Sequence, residues 1–286
     1  MQLERVMDVR NELANISLGD LRPNRRCQSI ARALQDNPTA SFTAALGDDA
    51  AAEGLYRFLG NPKVEWQHVL DEHRDASWEP AIAMEEHVLV IHDTTTCQLG
   101  GETIHQGTFR TSKGKSGYLA HTCLAISADG SRQPLGVVGK LPVVRLSVEQ
   151  FKESPGLTYE NERQRWPDLV GIVGDEKPAN VGIAHGLDSE GHAYNLPEFM
   201  VSQQFDFVVR LCHDRRVLTR DGEVVHLKST LEDATPQLTR SVRLAARNPT
   251  KAPPKTKRAA SRDERIAALE IRTTKANILR PKGSKE

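Results

Sequence analysis

Two carboxylates occupy comparable points of the sequence. Asp93 follows the apolar, β-branched run His87-Val88-Leu89-Val90-Ile91-His92, and Asp188 follows a strand-like stretch from Asn180 to Leu187. Each is expected to project from the carboxyl edge of a sheet, where ligand crevices form. Two such carboxylates can share divalent cations. Hard ions prefer oxygen ligands, so Mg²⁺ (or Mn²⁺) is the expected cofactor. Two ions about 3.5–4 Å apart activate a water or hydroxyl and stabilise the leaving oxygen of a phosphodiester. The alternative is ordinary turn chemistry, since Asp commonly follows a strand.

Other reactive residue types form weaker patterns. Gly114-Lys115-Ser116 ends like a phosphate-binding loop, but that motif needs Gly where Phe109 stands. His68/His73 and His87/His92 are spaced by five, off the helical clamp spacing, and read as structural or surface histidines. No Ser sits in a GxSxG elbow.

The elements that position the two aspartates are mixed. Residues 1–80 read as helices punctuated by Leu18-Gly19-Asp20, Asn37-Pro38 and Gly60-Asn61-Pro62, with Ser41 a candidate N-cap. From residue 81 to 213 the pattern becomes α/β. Strands are expected over 87–92, 118–127, 133–144, 180–187 and 205–212, with helices late in 147–166 and over 196–204. Asp129-Gly130 suggests a hairpin between the second and third strands. Residues 214–286 hold short strand-like pieces around a basic, Pro-rich loop near residues 248–258.

Lys plus Arg and Asp plus Glu both number 38, which excludes a uniformly basic nucleic-acid coat. The balance is uneven, because residues 243–286 carry 13 basic against 4 acidic residues. A basic end on an acidic body marks a polyanion contact or a solvated tail. No run approaches the roughly 18 apolar residues of a membrane span, and the N-terminus lacks a secretory apolar region, so no membrane partner is expected. Cys27, Cys97, Cys123 and Cys212 lie far apart without a CxxC pair, which fits a reducing cytoplasm.

Several motifs together resemble the DDE cut-and-paste transposases of bacterial insertion sequences, of the Tn-five and IS-four type. Leu18-Gly19-Asp20-Leu21-Arg22-Pro23-Asn24-Arg25-Arg26 is similar to the family's LGDxRxxxR opening. Residues 53–64, with Tyr56-Arg57-Phe58 and Asn61-Pro62-Lys63-Val64, resemble its YRFxxNPxV signature. Ile91-His92-Asp93-Thr94-Thr95 is similar to the segment carrying the first catalytic Asp. Asp188-Ser189-Glu190-Gly191-His192-Ala193-Tyr194 resembles the DREGDxY segment carrying the second, with Ser189 and His192 as departures.

The resemblance implies a helical DNA-binding domain over 1–80, an incomplete RNase H-like core over 81–213, and part of a β-rich insertion over 214–286. It makes Asp93 and Asp188 the catalytic metal ligands. Arg22, Arg25, Arg26 and Arg57 become the contacts to double-stranded transposon-end DNA. The implied activity is Mg²⁺-dependent phosphodiester hydrolysis followed by strand transfer, in a cytoplasmic, nucleoid-associated protein. A second copy or an intact transposase is the implied protein partner. The family's third acid lies in a YxxRxxxE helix, and none of the four tyrosines has Arg three residues later. A C-terminally truncated chain is therefore expected, and the rival to an enzyme is an inactive DNA-binding or regulatory fragment.

Overall fold

The structure, a computed structural model, describes residues 8–84, 87–101, 108–111, 113–144, 162–219, 221–247 and 261–281. The chain divides into two compact units, Met1–Arg210 and Leu211–Glu286.

The first unit opens with helices α1 (Val9–Glu12), α2 (Leu21–Asp36), α3 (Phe42–Leu46), α4 (Asp49–Leu59) and α5 (Trp66–Met84). Short polar side chains begin three of them. Asp20, Ser41 and Asp48 stand in extended conformation and accept the backbone N–H groups of Arg22, Ala44 and Ala51. Each satisfies a donor that the first helical turn leaves unpaired. Gly19 has φ of +80°, a backbone shape that glycine tolerates, and it turns the chain into α2. Leu13, Ile16, Leu18 and Cys27 form the helical core, with Phe58, Val64 and Val69 packed against it.

Residue 80, the expected domain border, falls inside α5. That helix continues onto the sheet and contributes Trp78 and Ala81 to its core.

Among the described residues six strands follow: β1 (Val88–Gln98), β2 (Phe109–Arg110), β3 (Ser116–Ser127), β4 (Pro134–Val143), β5 (Ile183–Leu187) and β6 (Asp206–Val209). Their order is β4-β3-β1-β5-β6, with β2 beside the start of β3 on the β4 side. β1 pairs antiparallel with β3 and parallel with β5, and β5 pairs parallel with β6. The hairpin expected at Asp129-Gly130 is the β3–β4 connection. The first strand does not stop before Asp93, as its apolar run suggested. Pairing with β3 continues to Gln98, because Thr94, Thr95 and Thr96 are β-branched and suit a strand.

Helices α6 (Arg165–Glu176) and α7 (Asn195–Ser202) join α5 on one face of this sheet. They bury Val88, Val90, Cys123, Ala125, Ile183 and Leu187 against Trp78, Leu169, Val173, Trp166 and Met200. On the opposite face Ile91, Leu124 and Val208 remain exposed. The helix expected late in residues 147–166 lies partly outside the described residues, and α6 begins at Arg165 and runs ten residues beyond that range.

The second unit contains a three-stranded sheet, Asn277–Ile278 beside Arg216–Leu218 beside Val224–His226, with helix α8 (Leu227–Glu232). It also contains a two-stranded ribbon of Leu238–Leu244 and Arg265–Ile271. The strand-like pieces after the Pro-rich loop are Arg265–Ile271 and Asn277–Ile278, which lie in separate sheets. The Pro-rich loop lies outside the described residues. Among the described residues no helix is long and apolar enough to cross a membrane.

Candidate functional site

The parallel register of β1 and β5 runs from Val88↔Ile183 to His92↔Leu187. Asp93 and Asp188 each follow the last pair of that register, and the Asp188 backbone is still extended at φ −80° and ψ −170°. In-register residues of adjacent strands share a face and lie about 4.8 Å apart. Val88, Val90 and His92 point into the helical layer, so both aspartates point to the opposite, exposed side. Asp188 Oδ1 also accepts the Glu190 N–H at 2.8 Å, which opens a 3-10 turn over Ser189–His192.

A buried cation lies behind this pair. Arg165, the first residue of α6, is only 5% exposed. Its Nε donates to Thr94 Oγ1 at 3.3 Å, and its Nη2 donates to Glu190 Oε2 at 3.3 Å. One guanidinium therefore ties the residue after Asp93 to the carboxylate two residues after Asp188. Nothing in the local sequence around Arg165 marks this role, because the partners are distant along the chain.

The two carboxylates present the oxygen donors that a hard divalent ion prefers. Among the described residues no three His, Cys, Asp or Glu side chains converge to hold a metal. The pair would therefore complete an ion's shell with water.

The second candidate lies in the helical part. A cleft of about 920 Å³ opens between α2 and α4, lined by Arg22, Arg26, Arg57, Lys63, His68 and Asn61 among others. Two of its cations have acid partners. Arg22 Nη2 is 3.2 Å from Asp20 Oδ2, and Arg57 pairs with Glu53 one turn earlier on α4. Hydrogen bonds from the Arg22 backbone and side chain lower the Asp20 carboxyl below its ordinary value, and the same contact raises Arg22. Arg26 makes no ion pair with a described residue. Arg25 is exposed on α2 but does not line the cleft.

Sequence reasoning named Arg22, Arg26 and Arg57 and missed Lys63 and His68. The signal for Lys63 was present, since Asn61-Pro62-Lys63 follows the C-terminus of α4 and Asn61 Oδ1 accepts the Lys63 N–H.

Residues 9–64, which contain most of this cleft, match the family described as transposase DNA-binding. No curated protein matches the chain.

Proposed function

We propose that this chain acts on DNA as a transposase-type protein, binding the ends of a mobile element through the α2–α4 cleft. The observation that carries the reading is the cluster Arg22, Arg26, Arg57 and Lys63, gathered in one cleft within the segment similar to transposase DNA-binding domains. Cations at such positions fix a duplex by its phosphates, and side chains deeper in the cleft are available for base edges. The surrounding residues are net acidic, with 9 basic against 13 acidic over residues 1–80, so the local placement of arginine matters more than overall charge.

The sheet order supports an RNase H-like reading of the second part. Three antiparallel strands are followed by two parallel to the first, with one acid on β1 and one directly after β5. In this reading Asp93 and Asp188 hold Mg²⁺ or Mn²⁺. When bound, such an ion supplies activation of water for phosphodiester hydrolysis and charge stabilisation at the leaving oxygen. Arg165 keeps the two acid-bearing segments in register by holding Thr94 and Glu190. Among the described residues no third acid converges with Asp93 and Asp188, which favours DNA binding with weak cleavage over robust cleavage.

The test is fluorescence anisotropy of the full chain with a duplex carrying the element end, at several salt concentrations. Affinity should fall steeply with salt, and Arg22→Ala plus Arg57→Ala should flatten that dependence by about two phosphate contacts. Salt-independent binding, or a double variant that binds like the parent, would overturn the assignment.

A further inference from the structure

Gly54 sits in the middle of α4, where glycine is unfavourable by roughly 0.5–1 kcal/mol relative to alanine. Its backbone is ordinary right-handed helix, since it is not among the residues with positive φ. Chain conformation therefore does not call for glycine here. The reason lies across the cleft. A Cβ on Gly54 would meet Arg26 Cζ at 2.7 Å and Nη2 at 3.3 Å, and would overlap Nη1. The guanidinium from α2 lies directly on the bare backbone of α4.

We infer that Gly54 is a positioning residue for DNA phosphate, a notch that seats the Arg26 guanidinium in the cleft. The inference rests on the DNA-binding reading above. Arg26 stands one turn after Arg22 on α2, and Gly54 stands one turn before Arg57 on α4. The notch thus sets Arg26 in a cleft also lined by two cations that already have acid partners, Arg22 with Asp20 and Arg57 with Glu53. Arg26 has no such partner among the described residues, so its donors remain available to an anion. Planar guanidinium groups bind phosphate through paired N–H donors, and such contacts depend on orientation as well as charge.

The obstruction a side chain would create is cheap for the fold. The atoms in the way are the far end of a flexible side chain, and they can swing out while α4 stays intact. Gly54→Ala should therefore leave the thermal midpoint unchanged or raised, in line with alanine's helix preference. Affinity should fall all the same.

The experiment measures binding of the full 286-residue chain to a random-sequence duplex by anisotropy, across a salt series. The variants are Gly54→Ala, Arg26→Ala and the double substitution. Each single variant should lose roughly tenfold in affinity and lower the log–log salt slope by about 0.9, the value for one phosphate contact. The double variant should lose no more than Arg26→Ala alone, because both changes remove the same contact. A Gly54→Ala chain that binds like the parent overturns the inference. So does a drop in thermal midpoint that accounts for the lost binding, or full additivity in the double variant. A parent chain that does not bind duplex DNA in a salt-dependent way instead overturns the DNA reading itself, which separates the two failures.

Discussion

His73 Nε2 accepts the backbone N–H of Val137 at 3.0 Å, which fixes the ring proton on Nδ1, facing Glu12 Oε2 at 2.8 Å. One imidazole thus joins α1, α5 and β4, and it seats the helical part against the edge strand of the sheet. The neighbouring contact is equally close, since a Cβ on Gly136 would meet Ser77 Cβ at 2.7 Å.

Removing that ring should cost stability without touching the cleft. His73→Ala leaves the Val137 N–H and the mostly buried Glu12 carboxylate without their partner. An unsatisfied group of this kind costs about 1–3 kcal/mol. Urea unfolding should show that loss, while DNA affinity measured well below the transition stays at the parent value. A stability change under about 0.5 kcal/mol would show that water replaces the ring at both ends.

Acid should destabilise the sheet core. Burial holds His92 well below its ordinary value, with the neighbouring His185 and His121 adding to the effect. Burial, then the charge of Arg165, lowers His121 to about 3, and burial lowers His185 to about 4. Well above pH 6.5 all three are neutral in both states, and the full stability is present. As pH falls below 6.5, the unfolded chain takes up protons that the folded chain refuses, so stability drops until the folded values are reached. The slope is about 1.4 kcal/mol per pH unit for each histidine. Unfolding free energies at pH 7, 6, 5 and 4.5 should fall progressively, and His185→Gln should flatten the slope by about one proton.

The helices that precede the sheet were legible because their signals are local. Asp20, Ser41 and Asp48 each precede an apolar-periodic run, and each caps the helix it marks. The strands were legible as apolar runs, but their ends were not. Asp93 looked terminal because polarity rises there, yet pairing to β3 carries the strand five residues further. Three histidines scattered at positions 92, 121 and 185 gave no hint of meeting. The register Thr94↔His121 and Val90↔His185 turns them to one face around His92. Gly54 read as part of a motif, and its contact with Arg26 depends on how α2 crosses α4, which no single segment encodes.

Two carboxylates held side by side on an exposed face repel each other. Near water, two unit charges about 4 Å apart cost about 1 kcal/mol, and wider separations cost less. Asp93→Asn should therefore leave stability unchanged or raise it by up to that amount. The same substitution should abolish most of the chain's Mn²⁺ binding, measured by the loss of free-ion electron spin resonance signal. Asp188→Asn should do likewise, and the double variant should add little. Mn²⁺ binding untouched by either change would move the ion to other ligands.

The uncovered sheet face makes a separate claim. Leu124, Ile91, Gly186 and Val208 fall in one row across β3, β1, β5 and β6, directly beside the row of Thr122, Asp93 and Asp188. A Cβ on Gly186 would meet Ile91 Cδ1 at 2.6 Å, so the Ile91 side chain lies over the glycine and widens the apolar strip. Val208 is 71% exposed at its end. Contiguous apolar surface of this kind binds hydrophobic dyes and promotes association. Val208→Thr keeps the β-branch that strands favour and removes little packing, so stability should change by less than about 0.5 kcal/mol. Adding Leu124→Thr should lower dye fluorescence further and raise the solubility limit of the purified chain. Dye binding that persists at the parent level in the double variant would place the accessible apolar surface elsewhere in the molecule.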